Sequence, residues 1–396
     1  MEEGDSEMRN KDITRLKIGL LCKGLKVNPN ARYYPEIVPD EYVGGGKSRA
    51  GVAGSGKDFI LDSGEPCNIG VLQPFLEESP FEFKIIDNKG WILENGKKAI
   101  GATLREPKWH STPPFNEIQL HGKDSLATLL SNFCSYKQHG EGCKFCIIDV
   151  GEEVVSHKPE DIARAIQEIE KTSELRAYYD IEDKYNPDLS EQDLEKRKKY
   201  VEPKDININS GMLENAVRDY EGTISAIKAV SELPIGIQIC PVEPEEMETL
   251  YSAGTTEISF NLEVYDESAR KEVIPGKNRD NSAADYLKAM REAIEIFGEN
   301  QVESWILIGL EPKEKTVEGI KAIAEAGAVP LPKPFRPLYG ADYERKKPPT
   351  LEDAIVVYEA WLDTIRDYGL NPLKTKAGCG RCNGCFPLHE LLKYGI

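Results

Sequence analysis

The alternation of apolar and polar positions changes character once along the chain, near residue 125. Before that point, short apolar runs at 59–61, 83–86 and 91–93 are broken by Gly- and Pro-rich stretches. Turns such as Asp87-Asn88-Lys89-Gly90 separate them, which is the punctuation of short strands. Residues 1–125 therefore read as an N-terminal β-rich extension. From 126 onward, strand-like runs alternate with amphipathic helical windows. Strands are expected at 126–133, 205–210, 235–240, 257–262, 302–309 and 328–334. Helices are expected at 159–171, 214–231, 243–252, 282–297, 316–326 and 351–368.

Six βα units in succession imply a parallel sheet with right-handed crossovers. The expected fold is α/β: a partial TIM-type (β/α)6 barrel over 126–370, with a cysteine-rich extension at 371–396. Chemistry on such a barrel belongs at the C-terminal strand ends. The charged stretch 172–204 breaks the rhythm and reads as a solvated insertion.

Composition narrows the function. The net charge of −18 points away from a nucleic-acid backbone, which demands a basic face. The acidic, polar start MEEGDSEMRNKD is unlike a signal peptide, and no apolar run approaches membrane-spanning length, so a cytoplasmic protein is expected. Nine cysteines in such a chain suggest metal rather than disulfides. Six fall in two clusters, while Cys22, Cys67 and Cys240 stand alone.

The first cluster, Cys134, Cys143 and Cys146, follows the first expected strand. Three thiolates from one loop can hold three irons of a 4Fe–4S cluster and leave the fourth open to a small molecule. Gly140 and Gly142 let the loop wrap closely, and Phe145 can shield the cluster. The other reading of Cys143-x-x-Cys146 is a zinc knuckle with His139 as the one nearby fourth ligand.

This arrangement resembles the radical S-adenosylmethionine (SAM) superfamily, whose usual signature has three residues between its first two cysteines, two between the last pair, and an aromatic before the last. Here the spacing is CX8CX2C, with Phe145 as the aromatic. The resemblance extends over residues 126 to about 345, along a biotin-synthase-like barrel. It implies a 4Fe–4S cluster, SAM and an external one-electron donor of ferredoxin or flavodoxin type. Ser210-Gly211-Met212 is similar to the glycine-rich motif that receives the methionyl amine, although Met212 replaces the usual acid. Glu263 is similar to the ribose-binding acid, with Lys271, Lys277 or Arg279 as a cation for the SAM carboxylate. Ile306, Ile308 and Gly309 are similar to the adenine-lining strand.

The second cluster, Cys379-x-x-Cys382-x-x-Cys385, has the spacing of a ferredoxin-type loop. An auxiliary iron–sulfur cluster and a mononuclear zinc or iron both fit, with Cys22, Cys67 or Cys240 as candidate fourth ligands. Two look-alikes are set aside. Gly51-Val-Ala-Gly-Ser-Gly-Lys57-Asp58 ends in Asp where a P-loop needs Ser or Thr, and 44–48 (GGGKS) lacks the first glycine. No cobalamin-binding His motif is present. The expected activity is hydrogen abstraction by a SAM-derived radical from a small-molecule, cofactor-biosynthesis substrate. Modification of a protein side chain is the second reading, and a non-catalytic metal-binding or electron-carrying protein is the rival class.

Overall fold

The computed structural model describes residues 2–38, 56–148 and 154–396. The segment 44–48 lies outside them, as do 51–55; Gly56, Lys57 and Asp58 open a strand, Gly56–Leu61, and no helix follows them.

Six parallel strands stand in chain order: Ser125–Leu129, Asp205–Asn209, Ile235–Gln238, Thr255–Ser259, Val302–Ile308 and Val329–Pro334. A short antiparallel strand, Gln119–His121, borders the first. The sheet runs from edge to edge without a closing ladder, so the barrel is open. All six expected strands are present, and the helices between them fall within a few residues of expectation; Pro159–Lys171 matches at both ends. Their apolar faces (Ile166, Ile224, Met247, Met290, Ile320, Val357) pack against outward-pointing Ile206, Ile237, Ile258 and Ile306.

The N-terminal region holds a six-stranded sheet, as the short apolar runs suggested, and also a helix that they did not suggest. In space the strands run Lys26–Val27, Phe81–Ile86, Lys89–Glu94, Lys97–Leu104, Gly56–Leu61 and Pro66–Gly70, antiparallel except for the first pair. Asp87 and Asn88 both take positive φ, +53° and +55°, in the two-residue hairpin joining Ile86 to Lys89. Such a turn demands left-handed backbone at both positions, and Asp and Asn tolerate it best among side-chain-bearing residues.

The helix, Glu2–Lys23, wedges between this sheet and the barrel. Leu20 and Leu21 enter the small sheet's core, while Ile18 and Cys22 enter the barrel's. The charged insertion also does more than face solvent. Ile181 is buried in the N-terminal core, Thr103 donates to Glu182, and Tyr185 donates to Glu36.

The C-terminal segment sets this barrel apart. Its short helix, Gly378–Cys382, enters the lower end of the barrel, where the strands begin. Asp205, Glu257 and Glu303, all with 0 % exposure, point inward there. Asp205 accepts from Gly378 N (3.0 Å), and Glu303 accepts from Cys379 N (3.1 Å) and Gly380 N (3.0 Å). Carboxylates thus satisfy the N–H groups that a helix start leaves unpaired. Arg381 bridges Asp205 (2.7 Å) and Asp124 (2.9 Å).

Burial pushes the Glu257 carboxyl well above its ordinary range, and the neighbouring Glu303 raises it further. The folded Glu257 carboxyl therefore resists ionisation more than the unfolded one does. Its contribution to stability is fully present below the unfolded value near 4.5 and is lost as pH rises toward the raised folded value. Glu257→Gln removes the ionisable group and keeps its shape. Thermal unfolding of this variant should match wild type near pH 5 and show a higher Tm at pH 8.

Candidate functional site

A cavity of about 150 Å³ opens at the C-terminal ends of the strands. Cys134, Cys143 and Cys146 line one side, from the loop after the first strand. Tyr136 and Ile148 pack between them, and Phe145 lines the same wall. Ser210, Gly211 and Met212 approach from the end of the second strand, Gln238 and Cys240 from the third, and Glu263 from the turn after the fourth. Trp305 and Leu307 face it from the fifth strand, Lys333 and Arg336 from the sixth and its exit.

Gly211 is there because nothing larger fits. A Cβ would overlap Phe133 O and stand 2.8 Å from Cys134 Cβ. The adjacent backbone is tied to the cysteine loop by Ser135 N donating to Met212 O at 2.9 Å. Gly211→Ala is expected to push the loop outward, costing about 1–3 kcal/mol of stability. The check is Tm, which should fall.

Glu263 sits in left-handed backbone, φ +65°, on a chain reversal held from both sides. Fully buried Arg270 donates to Leu262 O (3.0 Å) and Val264 O (2.8 Å), bracketing it. Glu311 accepts from Tyr265 N (3.0 Å) and Asp266 N (2.7 Å) just beyond. One carboxylate oxygen of Glu263 meets Lys277 Nζ at 3.2 Å; the other is buried and has no partner among the described residues. Of the three cations considered, Lys277 reaches the cavity, Lys271 pairs with Glu267, and Arg279 pairs with Glu141 and Asp280.

Two expectations for the fifth strand shift by one position. Ile306 and Ile308 face the helical layer, and Gly309, φ +97°, turns beside Pro349; Trp305 and Leu307 are the cavity residues.

Burial raises the Cys143 thiol far above its ordinary value and that of Cys146 to about 11. Thiols so desolvated become thiolates when a metal cation supplies the compensating charge. Among the described residues no three His, Cys, Asp or Glu side chains converge tightly enough for a single metal ion. Cys134, Cys143 and Cys146 line one cavity together with Gly211 and Glu263.

Cys379, Cys382 and Cys385 do not line this cavity. They lie beneath it, separated by one layer of side chains: Gln238, itself a cavity residue, donates to Cys379 Sγ at 3.3 Å, and Asn207 donates at 3.5 Å. Burial raises the Cys379 and Cys382 thiols well above the ordinary range. Cys22 and Cys67 are fully buried, with burial pushing each thiol up to about 12. Cys240 lies on the upper cavity wall, where Tyr286 Oη donates to its sulfur at 3.8 Å.

The sequence reading missed Arg270 and Glu311 as the clamp on Glu263, and Lys333 and Arg336 as cavity cations. The signal for the last two was a Lys and an Arg at the end of an otherwise apolar, proline-rich strand.

No helix among the described residues is long and apolar enough to cross a membrane. No family profile matches the chain. Over 143 residues it is 29% identical to the bacteriochlorophyllide c C-7(1)-hydroxylase of Chlorobaculum limnaeum, covering 36% of this chain and 36% of that protein. The chain thus matches about a third of the length of that curated relative. Among solved structures, methylornithine synthase aligns with a TM-score of 0.44 at 15% identity, over 62% of this chain and 69% of that one. The coproporphyrinogen III oxidase of Escherichia coli, described as a radical SAM enzyme, aligns with a TM-score of 0.39 at 14% identity, over 62% and 53%.

Proposed function

We propose that the chain is a radical SAM enzyme whose cluster is held by Cys134, Cys143 and Cys146. The observation that carries this is the convergence of those thiols on one cavity with Gly211 and the unpartnered oxygen of Glu263. When bound, a 4Fe–4S cluster with SAM supplies reductive cleavage of the sulfonium and a 5′-deoxyadenosyl radical for hydrogen abstraction, the electron coming from an external donor.

The chain's own residues do the rest. Gly211 and Ser210 offer backbone and hydroxyl at close approach to the methionyl group. Glu263, fixed by Arg270 and Glu311, accepts ribose hydroxyls through its free oxygen. Lys277 neutralises a carboxylate beside the cysteine loop. Phe145, Ile148, Met212, Leu307 and Phe335 keep water from a reactive intermediate.

The C-terminal trio is proposed as a second metal site one side-chain layer below. For the substrate, a small molecule of the bacteriochlorophyllide kind is the first to test, a choice supported by the name of the curated relative, with protein side-chain modification behind it. The test is anaerobic reconstitution with iron and sulfide, reduction by dithionite, and measurement of 5′-deoxyadenosine released from SAM. A brown protein that releases it is expected. A colourless protein holding zinc alone, with no SAM cleavage, sinks the reading and favours the metal-binding rival.

A further inference from the structure

The ionisable groups on the cavity wall do not balance. Apart from the cysteines and tyrosines they are Glu263, Lys277, Lys333 and Arg336. Glu263 and Lys277 answer each other at 3.2 Å. Lys333 is 6 % exposed, and among the described residues it has no carboxylate within ion-pair distance; its ammonium rests over the Trp305 ring, 4.4 Å from the centroid. Arg336 is 7 % exposed and is held by a neutral side chain: it donates to Asn68 Oδ1 at 2.9 Å and to Asn68 O. Asn68 in turn donates to Asp58 at 3.1 Å, so the nearest countercharge is one residue removed. Arg336 Nε and Trp305 Nε1 are both buried, with no acceptor among the described residues.

A buried cation without a counter-ion is costly, and a fold that needed only to fill this space would use an apolar residue. We infer that Lys333 and Arg336, with Trp305 Nε1, receive an anionic group of the substrate, a carboxylate, on the cavity wall. This deepens the proposed reaction and rests on it for the word substrate. The SAM carboxylate is a poorer occupant. Lys277, 3.2 Å from Glu263, is the cation that stands beside the proposed SAM-binding carboxylate. Lys333 extends from the last strand, paired in register with Leu307, with its ammonium over Trp305. Lys277 is thus already paired, and a carboxylate at Lys333 would answer the cation that is not.

The test uses the full reconstituted chain and a minimal probe, propionate, against neutral isosteric propionamide at constant ionic strength. Propionate should raise the Tm by about 2 °C at tens of millimolar, and propionamide should not. Lys333→Met should lose that rise while unfolding no earlier than wild type without probe, since it removes an uncompensated charge. Lys333→Arg should restore the rise. Equal shifts from both probes overturn the inference, as does a propionate shift that survives in Lys333→Met. So does a shift abolished by saturating SAM, which would mean that the cofactor's own carboxylate fills the site. Propionate binding by a chain that never releases 5′-deoxyadenosine upholds the cation pair and overturns only the reaction.

Discussion

Cys146→Ala protein, reconstituted anaerobically beside wild type, is expected to release 5′-deoxyadenosine at least about a thousandfold more slowly, a loss of about 4 kcal/mol in transition-state stabilisation. Cys146 is 8 % exposed, and its sulfur accepts Ile148 N at 3.4 Å, so the wall around it is fixed before any metal arrives. Removing that thiol leaves Cys134 and Cys143 facing a gap that no neighbouring side chain of the loop can fill. His139 is the nearest alternative in sequence, and its Nδ1 is committed to Ser135 O at 2.7 Å on the exposed side of the loop. The variant should lose one cubane's worth of iron and the matching brown absorption. Cys382→Ala, at the other end of the barrel, should remove iron in a separate increment and leave the upper cluster's absorption in place. A Cys146→Ala protein that cleaves SAM at wild-type rate would remove the proposed reaction from this cavity.

Much of this site was legible because local rules and the fold agree. Alternating runs of apolar strand and amphipathic helix specify a parallel barrel, and a cysteine loop after the first strand must then open at its mouth. The misplacement of Ile308 shows where periodicity fails. In a strand buried on both faces, apolar residues occupy both, and nothing local says whether Leu307 or Ile308 points inward. The helix Glu2–Lys23 escaped notice because its buried face carries Thr14 and Lys17, which interrupt the apolar stripe. The place of the second cysteine group depends on contacts between residues more than 170 positions apart, such as Asp205 with Gly378. One clue to it did lie in the sequence. Asp205, Asn207 and Asn209 alternate with Ile206 and Ile208, so a central strand of the barrel has a polar inner face. An apolar core cannot satisfy that face; the C-terminal segment meets part of it, with Gly378 N donating to Asp205 and the Cys379 sulfur accepting from Asn207.

That same C-terminal segment is the basis for the largest expected effect on stability. Lys17→Met should destabilise the protein by about 3–5 kcal/mol, seen as a fall in Tm and in the urea midpoint. Lys17 and Glu390 meet at 2.6 Å, with neither side chain exposed to solvent. Lys17 also donates to Asn383 O at 2.9 Å, and Asn383 Nδ2 donates to the other Glu390 oxygen at 2.9 Å. Asn383, in left-handed backbone at φ +53°, accepts from Leu388 N at 3.1 Å and ends the short helix that carries Cys379 and Cys382. One lysine thus ties the N-terminal helix to the segment that fills the barrel's lower end. Its loss strands a buried carboxylate, and the penalty belongs mainly to that stranded charge. The double variant Lys17→Met/Glu390→Met should therefore recover much of the stability, because an apolar pair of similar volume avoids the desolvation of both ions. A double variant as unstable as the sum of its single changes would show that the two residues act independently, and that the tie between the chain's two ends lies elsewhere.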